Sequence, residues 1–132
     1  MPQPPSAISL MLCDQVVFEQ GTQKAYLLGV FTGVAAERFP TVPQRFDIFA
    51  ALTDGAGDVT MTLRVVHLES DQEIYVQKMK VHFSNPLQVV NLRYRVRHLI
   101  YDAAGTYQFT LAVEDQEIAG RRVRVYSTGN KP

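Results

Sequence analysis

Apolar and polar residues alternate along most of this chain in short runs separated by turn-forming residues. The segment from 59 to 68 is typical, with Met61, Leu63 and Val65 on one side and Thr60 and Thr62 on the other. A period of two places successive side chains on opposite faces of a β-strand. No long run with the 3.6-residue period of a helix occurs, so the pattern predicts an all-β fold.

The runs predict about eight strands joined by short links. The links are rich in glycine, proline, aspartate and asparagine, and they are too short for the crossover that parallel neighbours need. We therefore predict an antiparallel β-sandwich whose sheets each have one buried and one solvated face. The predicted strands are 8–18 (with a kink at Asp14), 24–31, 44–52, 59–68, 74–83, 88–97, 105–113 and 117–126.

Three details of the pattern give sharper expectations. The run 24–31 is apolar on both sides, which predicts a central strand, and Gly29 within it indicates a bulge or a close backbone approach. The loop DGAGD, residues 54–58, predicts a hairpin. Phe49, Ile74 and Val76 lie on otherwise polar sides of their strands, where they mark either an exposed apolar patch or packing under a loop.

Length and charge limit the possible classes of protein. The 132 residues suit one domain, predicted at 8–127 between a flexible lead-in, 1–7, and a tail, 128–132. The 13 basic and 13 acidic side chains balance, so no net charge attracts nucleic acid or an anionic membrane. The single cysteine, Cys13, lies in an apolar run and is predicted to be a buried, inert thiol. With no signal-peptide pattern and no membrane-length apolar run, these features predict a cytoplasmic protein.

The C-terminal third contains a spacing of apolar, acidic and tyrosine residues that resembles part of a known domain fold. Val96 and Leu99 are followed by DAAGTY, residues 102–107, which resembles the segment leading into strand F of immunoglobulin-like domains. The resemblance implies that Tyr107 closes a corner by hydrogen-bonding back to the chain. Asp102 falls one position earlier than in antibody domains, and neither a cysteine pair nor a tryptophan is present. A plain immunoglobulin-like sandwich is therefore implied, and an antibody-type domain is excluded.

The N-terminal segment MLCDQVVFEQGTQKAYLLGVFTGV, residues 11–34, resembles a small bacterial family of unknown function. That family combines an apolar-Cys-Asp start, a Gly-Thr-x-Lys turn and a Leu-x-Gly-apolar-Phe strand, and its later Gly-x-Tyr strand and hairpin also match. The resemblance implies a β-sandwich in a bacterial cytoplasm, and it transfers no catalytic residue. The matching residues are Cys13, Asp14, Gly21, Thr22, Lys24, Leu28, Gly29 and Phe31.

Residues with catalytic or metal-binding chemistry are few and scattered. His67, His82 and His98 have no metal-ligand spacing, and one cysteine cannot build a zinc site. The G-x-S-x-G, P-loop and G-x-G-x-x-G motifs are absent, and DGAGD lacks the remaining ligands of a calcium loop. We predict no enzyme, no metal and no cofactor. A hydrolase would require His67 or His98 beside a serine and a carboxylate in a deep cleft.

Basic residues form the one pattern that points to binding. From 74 to 101 the chain has five basic residues and no acid, and NLRYRVRHL puts three arginines on one strand face. In an immunoglobulin-like arrangement we expect strands 74–83 and 88–97 to be neighbours, so that two lysines join the row. The last strand carries a second alternating pair. The candidate binding residues are Arg93, Arg95, Arg97, Lys78, Lys80, Arg122 and Arg124.

Three interpretations of this surface follow. The plain one is a solvated sheet face, where arginine stems cover apolar surface and cross-strand acids pair with the bases. The second is an anionic partner, and an acidic protein surface is favoured over nucleic acid because Tyr94 faces away from the arginines. The third depends on the absence of the catalytic, phosphate-binding and metal-binding motifs named above. It predicts a non-enzymatic cytoplasmic module for protein interaction or assembly, with a protein partner or self-association.

Overall fold

The computed structural model describes residues 3–128, and these residues form nine β-strands with no α-helix. Gln3 donates its backbone N–H to the Ala56 carbonyl at 2.8 Å, and the first strand begins at Ser6, within the segment 1–7 that was predicted as a lead-in. Of the predicted tail, residues 129–132 lie outside the described part. The strands are β1 Ser6–Phe18, β2 Ala25–Val30, β3 Gly33–Ala36, β4 Gln44–Thr53, β5 Gly57–His67, β6 Gln72–Phe83, β7 Val90–Leu99, β8 Gly105–Val113 and β9 Gln116–Ser127.

The strands form two sheets that face each other. The four-stranded sheet has the order β2-β1-β4-β7, and the five-stranded sheet has the order β3-β9-β8-β5-β6. β4 and β5 belong to different sheets, so the link from Asp54 to Ala56 crosses the sandwich and the predicted hairpin at DGAGD is wrong. The link carries the left-handed residues Asp54 and Gly57, with φ of 66° and 77°, which let the chain turn sharply between the layers.

This strand order is that of an immunoglobulin-like sandwich. In that fold, strands A, B and E share one sheet and strands C, F and G share the other. Here β1, β4 and β7 are adjacent in one sheet, and β5, β8 and β9 are adjacent in the other. The predicted corner is also present, because the Tyr107 hydroxyl donates to the Ala103 carbonyl at 2.6 Å. The prediction of an immunoglobulin-like β-sandwich is confirmed.

The core lies between the sheets and follows the alternation of the sequence. Residues on the inner sides of β4, β5, β7 and β8 are almost fully buried, Ile48, Leu63, Val96 and Phe109 among them. Such side chains contribute about 1.5–3 kcal/mol each on burial. Tyr94 of β7 also points inward, and its hydroxyl is buried without a hydrogen-bond partner in the described residues. Burial raises the pKa of Tyr94.

Two strands differ from the prediction. β3, residues 33–36, was not predicted as a separate strand, and it pairs with β9 in parallel, whereas every other strand pairing is antiparallel. β2 was predicted to be central but lies at the edge of its sheet. Its two apolar sides have different surroundings. Ala25 and Leu27 pack on the cluster around Phe49, whereas Tyr26 and Leu28 are exposed.

The end of β1 and all of β2 form an arm, residues 14–30, that leaves the sheet and folds over its outer face. The pairing of β1 with β4 ends at Cys13 and Asp47, as the predicted kink at Asp14 requires. Beyond this point Val16 and Phe18 pack on Phe49, which lies on the outer side of β4, in a second apolar cluster. Phe49 is therefore packed under the arm and is not part of an exposed patch.

Gly29 of β2 allows the two strands of the arm to pass close to each other at Asp14. Its φ is +70°, and a Cβ at this position would overlap the Asp14 carboxylate. Any other residue would therefore need both a strained backbone and a displaced side chain. The close approach that the sequence predicted at Gly29 is confirmed.

Candidate binding edge

The strand with the arginine row, β7, ends the four-stranded sheet, and none of the strands formed by residues 3–128 pairs with its free side. In an immunoglobulin-like sandwich of the ABED type, strand D occupies that position beside strand E. Here only residues 84–89 connect β6 to β7, and they form a bend and turn. The edge of β7 therefore offers unpaired backbone groups to an additional strand.

The three arginines of the row are on the outer face, as predicted, but they are not equivalent. Arg93 donates from Nη1 to the Val16 carbonyl at 3.2 Å, and its guanidinium lies 5.6 Å from the centre of the Phe18 ring. Both contacts are with the arm. Arg93 is therefore a structural residue that holds the arm on the sheet.

Arg95 and Arg97 are exposed, and neither forms an ion pair or hydrogen bond within the part of the chain that the structure describes. Together with Arg45 of β4, which is also exposed and unpaired, they line a hollow of about 550 Å³ beside the arm. We call Arg45, Arg95 and Arg97 the arginine hollow. Guanidinium groups of this kind suit carboxylate or phosphate oxygens, to which they can donate two parallel hydrogen bonds.

Two acids line the arginine hollow, Asp14 of the arm, which is exposed, and Asp47 of β4, which is buried. Asp47 stands opposite Arg95 in the pairing of β4 with β7, but its carboxylate Oδ2 accepts the backbone N–H of Val16 at 2.8 Å. Asp47 is 8% exposed and forms no ion pair among the described residues. The Asp47 carboxylate therefore holds the arm and leaves the two exposed arginines free.

A groove runs along the inner side of the β7 edge, between β7 and β6 of the other sheet. Its volume is about 590 Å³, and its floor is formed by Tyr75, Gln77 and Met79, with the Tyr75 hydroxyl donating to Gln77 Oε1 at 2.6 Å. The stems of the β7 arginines form one wall together with His98. An added strand at β7 would therefore meet basic groups on its outer side and this groove on its inner side.

The two predicted lysines are not part of this surface. β6 and β7 are edge strands of different sheets, so the expectation that they are neighbours is wrong. Lys78 and Lys80 stand opposite Thr62 and Thr60 on the outer face of the five-stranded sheet. The expectation rested on the immunoglobulin-like arrangement, but here β6 belongs to the five-stranded sheet and the chain crosses between the sheets before β7.

The second predicted pair of arginines also lies on the five-stranded sheet. Arg122 and Arg124 are exposed on β9, whose other side is buried, and Arg122 donates from Nε to the Gln108 side chain at 3.3 Å. The preceding Arg121 connects the sheets by donating from Nε to the Leu10 carbonyl at 2.7 Å. The structure therefore divides the seven candidate residues between two opposite faces of the sandwich.

Sequence reasoning did not find Arg45 or the groove. The alternation 44–52 puts Arg45 on the same side as Asp47, and this was the available signal. Its significance depends on the antiparallel pairing of β4 with β7, which brings positions 45 and 97 together. The sequence alone does not show that β4 and β7 are paired.

The histidine at the end of β5 has a serine and a carboxylate nearby. His67 Nδ1 is 2.6 Å from the Ser70 hydroxyl, and Nε2 is 3.4 Å from Glu69 Oε1 and 3.2 Å from the Ala104 carbonyl. Ser70 and Glu69 are exposed in a turn, so the deep cleft required for a hydrolase is not present around them. The Glu69 carboxylate accepts the Thr106 N–H at 3.0 Å, and this hydrogen bond lowers its pKa.

This group of residues supports the tyrosine corner. The His67 and Tyr107 rings are 4.8 Å apart, and Gly105 lies so close that a Cβ there would be 2.6 Å from His67 Nε2. The φ of Gly105, +145°, also favours glycine. His67 is thus a hydrogen-bonded residue at the rim of the core.

The remaining titratable residues that the sequence singled out are separate from one another. His82 is exposed and lies 2.7 Å from Asp58, and His98 is exposed beside the groove. Cys13 is fully buried, as predicted, and burial raises its pKa, with a further contribution from Asp47. Among the described residues, no group of three or more His, Cys, Asp or Glu side chains is arranged to hold a metal. No helix in residues 3–128 is long and apolar enough to span a membrane.

Comparison with known proteins adds the family. Residues 8–126 match the Family of unknown function (DUF6941). The chain belongs to this family. The prediction of a family of unknown function is therefore confirmed, and the family assigns no activity to the residues described above. No curated protein matches the chain.

One solved structure is similar over almost the whole length. It is an immunoglobulin-like protein (PA1606) from Pseudomonas aeruginosa, with 14% sequence identity and a TM-score of 0.47. The match covers 93% of this DUF6941 chain and 97% of that chain.

Proposed function

We propose that this DUF6941 chain is a cytoplasmic, non-enzymatic interaction module that binds an extended acidic segment of a partner protein along the edge of β7. The observation that carries the proposal is the free edge of β7 together with two exposed guanidinium groups that have no partner in the described residues. An exposed sheet edge binds a peptide by main-chain hydrogen bonds, and the flanking side chains select the sequence. The single cysteine, buried in the core, suits a reducing compartment.

The geometry of β7 defines the partner's side-chain pattern. Arg95 and Arg97 are two residues apart and share the outer face, so acids at every second position of an added strand would stand beside them. The intervening positions would point to the groove over Tyr75 and Met79. The segment is therefore expected to alternate acidic and apolar residues. Each cross-strand pair of opposite charges contributes about 0.2–1 kcal/mol.

Nucleic acid is a weaker candidate on the same surface. Binding of single strands uses exposed aromatic side chains between the basic groups, on which bases stack. Tyr94, the only aromatic residue within β7, is fully buried on the opposite side of the strand. No Phe, Tyr or Trp side chain of β7 therefore alternates with the exposed arginines on the outer face of that strand.

Peptide binding tests the proposal directly. A fluorescent ten-residue peptide with glutamate at every second position and valine or threonine between them is titrated with the protein, and anisotropy is measured. We expect saturable binding that weakens with salt, and weaker binding of an isomeric peptide whose glutamates are consecutive. The double variant Arg95→Glu/Arg97→Glu should lose roughly tenfold or more in affinity, because two attractive pairs become repulsive.

The matched control is Arg122→Glu/Arg124→Glu, which reverses two alternating charges on the outer face of the other sheet. It should leave peptide binding unchanged. Equal binding by the Arg95→Glu/Arg97→Glu variant, or no saturable binding by the native chain, would contradict the proposal. A single-stranded oligonucleotide is titrated in parallel. Tight oligonucleotide binding that depends on Arg95 and Arg97, with no peptide binding, would replace a protein partner with nucleic acid.

A further inference from the structure

We propose that the other edge of the four-stranded sheet, β2, pairs with β2 of a second copy of this chain to form a two-fold symmetric dimer. The proposal rests on the exposed arm and is independent of peptide binding at β7. β2 has the sequence AYLLGV, with no charged residue and no proline. Edge strands of monomeric proteins usually carry charges or prolines that prevent pairing with another chain.

The exposed side of the arm is mostly apolar, although Gln15 stands opposite Leu28 and the Tyr26 hydroxyl donates to Glu19 Oε2 at 2.8 Å. Four of its residues have large exposed fractions: Val17 38%, Tyr26 46%, Leu28 51% and Val30 47%. Tyr26 stands opposite Val17 in the pairing of β1 with β2, and Val30 stands opposite Cys13. The four residues therefore form one strip beside an unpaired backbone edge. An exposed apolar surface of this kind is typical of a protein-binding site.

The absence of charged residues in β2 is the reason why a second copy of the same strand fits this edge. In a two-fold symmetric pair each strand meets its own sequence, so a charged strand would place like charges opposite each other. β2 has no charges and satisfies this condition. The other long edge strands do not, since β6 carries Lys78 and Lys80 and β7 carries three arginines. The net charge of zero adds no long-range repulsion between copies.

The sequence of β2 also fixes a register. With the two-fold axis at Leu27, antiparallel pairing puts Tyr26 opposite Leu28 of the second copy, and Leu28 opposite Tyr26 of the second copy. Aromatic residues opposite aliphatic residues are among the favourable cross-strand pairs. The resulting sheet would continue through both copies, and the apolar strips of the two arms would lie side by side on one face of it.

Measurement of mass against concentration tests the dimer. Sedimentation velocity of the native chain, from micromolar to several hundred micromolar, should show a rise from the 14.8 kDa monomer towards twice that mass. Leu28→Glu removes the aliphatic partner of Tyr26 on both sides of the two-fold axis and brings two carboxylates near each other, so it should weaken association by roughly tenfold or more. Leu87→Glu makes the same change at a residue that is 91% exposed in the β6–β7 link, and it should leave the dimer intact.

A charge-rescue variant tests the register. Tyr26→Lys alone should be monomeric, whereas Tyr26→Lys/Leu28→Glu should dimerise again, because each lysine then stands opposite a glutamate of the second copy. Circular dichroism and thermal melting check that every variant is folded. A native chain that stays monomeric, a Leu28→Glu variant that dimerises as tightly as the native chain, or a double variant that stays monomeric would each overturn the proposal.

Discussion

The two edges of the four-stranded sheet have the same backbone chemistry and opposite side-chain chemistry. β2 and β7 both end the sheet without a further strand among the described residues. β2 carries no charge, and β7 carries three arginines on its outer face. An unpaired edge accepts any strand as far as its hydrogen bonds are concerned, so the side chains determine which strand is tolerated. β2 therefore suits a copy of itself, and β7 repels its copy and suits an acidic segment.

The two edges are also physically connected through the arm. Arg93 of β7 contacts Val16 and Phe18, and the same arm carries β2 on its far side. Of three arginines with identical spacing, one holds the arm and two remain available. Substitutions that loosen the arm should therefore affect β2 more than β7, which makes the comparison testable.

The largest effect is expected from the aromatic residue under the arm. Phe49→Ala removes a side chain that is 9% exposed in the second apolar cluster, and we expect a loss of about 3 kcal/mol in the free energy of unfolding, measured by urea denaturation. In the variant that remains folded, dimerisation through β2 should weaken more than peptide binding at β7. The control Leu87→Ala, at an exposed link, should change stability little. A loss below about 1 kcal/mol would mean that the arm does not depend on Phe49.

A smaller effect is expected from the carboxylate that binds the arm backbone. Asp47→Ala leaves the Val16 N–H without its acceptor, which should cost about 1–3 kcal/mol in the same measurement. Asp47→Asn keeps an oxygen acceptor and should cost less.

The same pair of variants separates the arm from the arginine hollow. Both substitutions remove a negative charge from the floor of the hollow, so both should strengthen binding of the glutamate peptide at β7. If Asp47→Ala and Asp47→Asn were equally destabilised, the hydrogen bond to Val16 would not be the cause. If neither improved peptide binding, the hollow would not be part of the peptide site.

The local features of this fold could be predicted because they depend on local patterns. The period of two predicted the strands, Asp14 predicted the kink in the first strand, and the spacing from Val96 to Tyr107 predicted the tyrosine corner. Each of these features is contained in a few consecutive residues. The burial of Cys13 followed from its apolar neighbours in the same way.

The errors concern pairings between distant strands. The link after β4 and the link after β5 both contain turn-forming residues, yet the first crosses between sheets and the second joins paired strands. β2 was interpreted as central because apolar residues on both sides of a strand normally indicate burial on both faces. The arm produces the same pattern with one side packed on Phe49 and the other exposed. Arg45 could not be assigned because its neighbours belong to β7.

The smallest effect separates two arginines that the sequence makes equivalent. Arg93→Met keeps the apolar stem and removes the guanidinium, so the bond to the Val16 carbonyl and the contact with the Phe18 ring are lost. We expect a loss of about 1 kcal/mol in the free energy of unfolding. Arg95→Met makes the same change two residues along the strand, where the structure shows no contact to lose, and should stay within about 0.5 kcal/mol of the native value.

Peptide binding should reverse the order of the two variants. Arg95→Met removes a guanidinium that faces the acidic segment and should weaken binding several-fold, whereas Arg93→Met should leave most of the affinity because Arg93 is already engaged with the arm. Equal stability losses would mean that the arm does not distinguish Arg93. Equal losses in binding would mean that all three arginines act as one diffuse positive surface. The paired measurement therefore decides whether the row is one binding surface or a structural residue beside a binding pair.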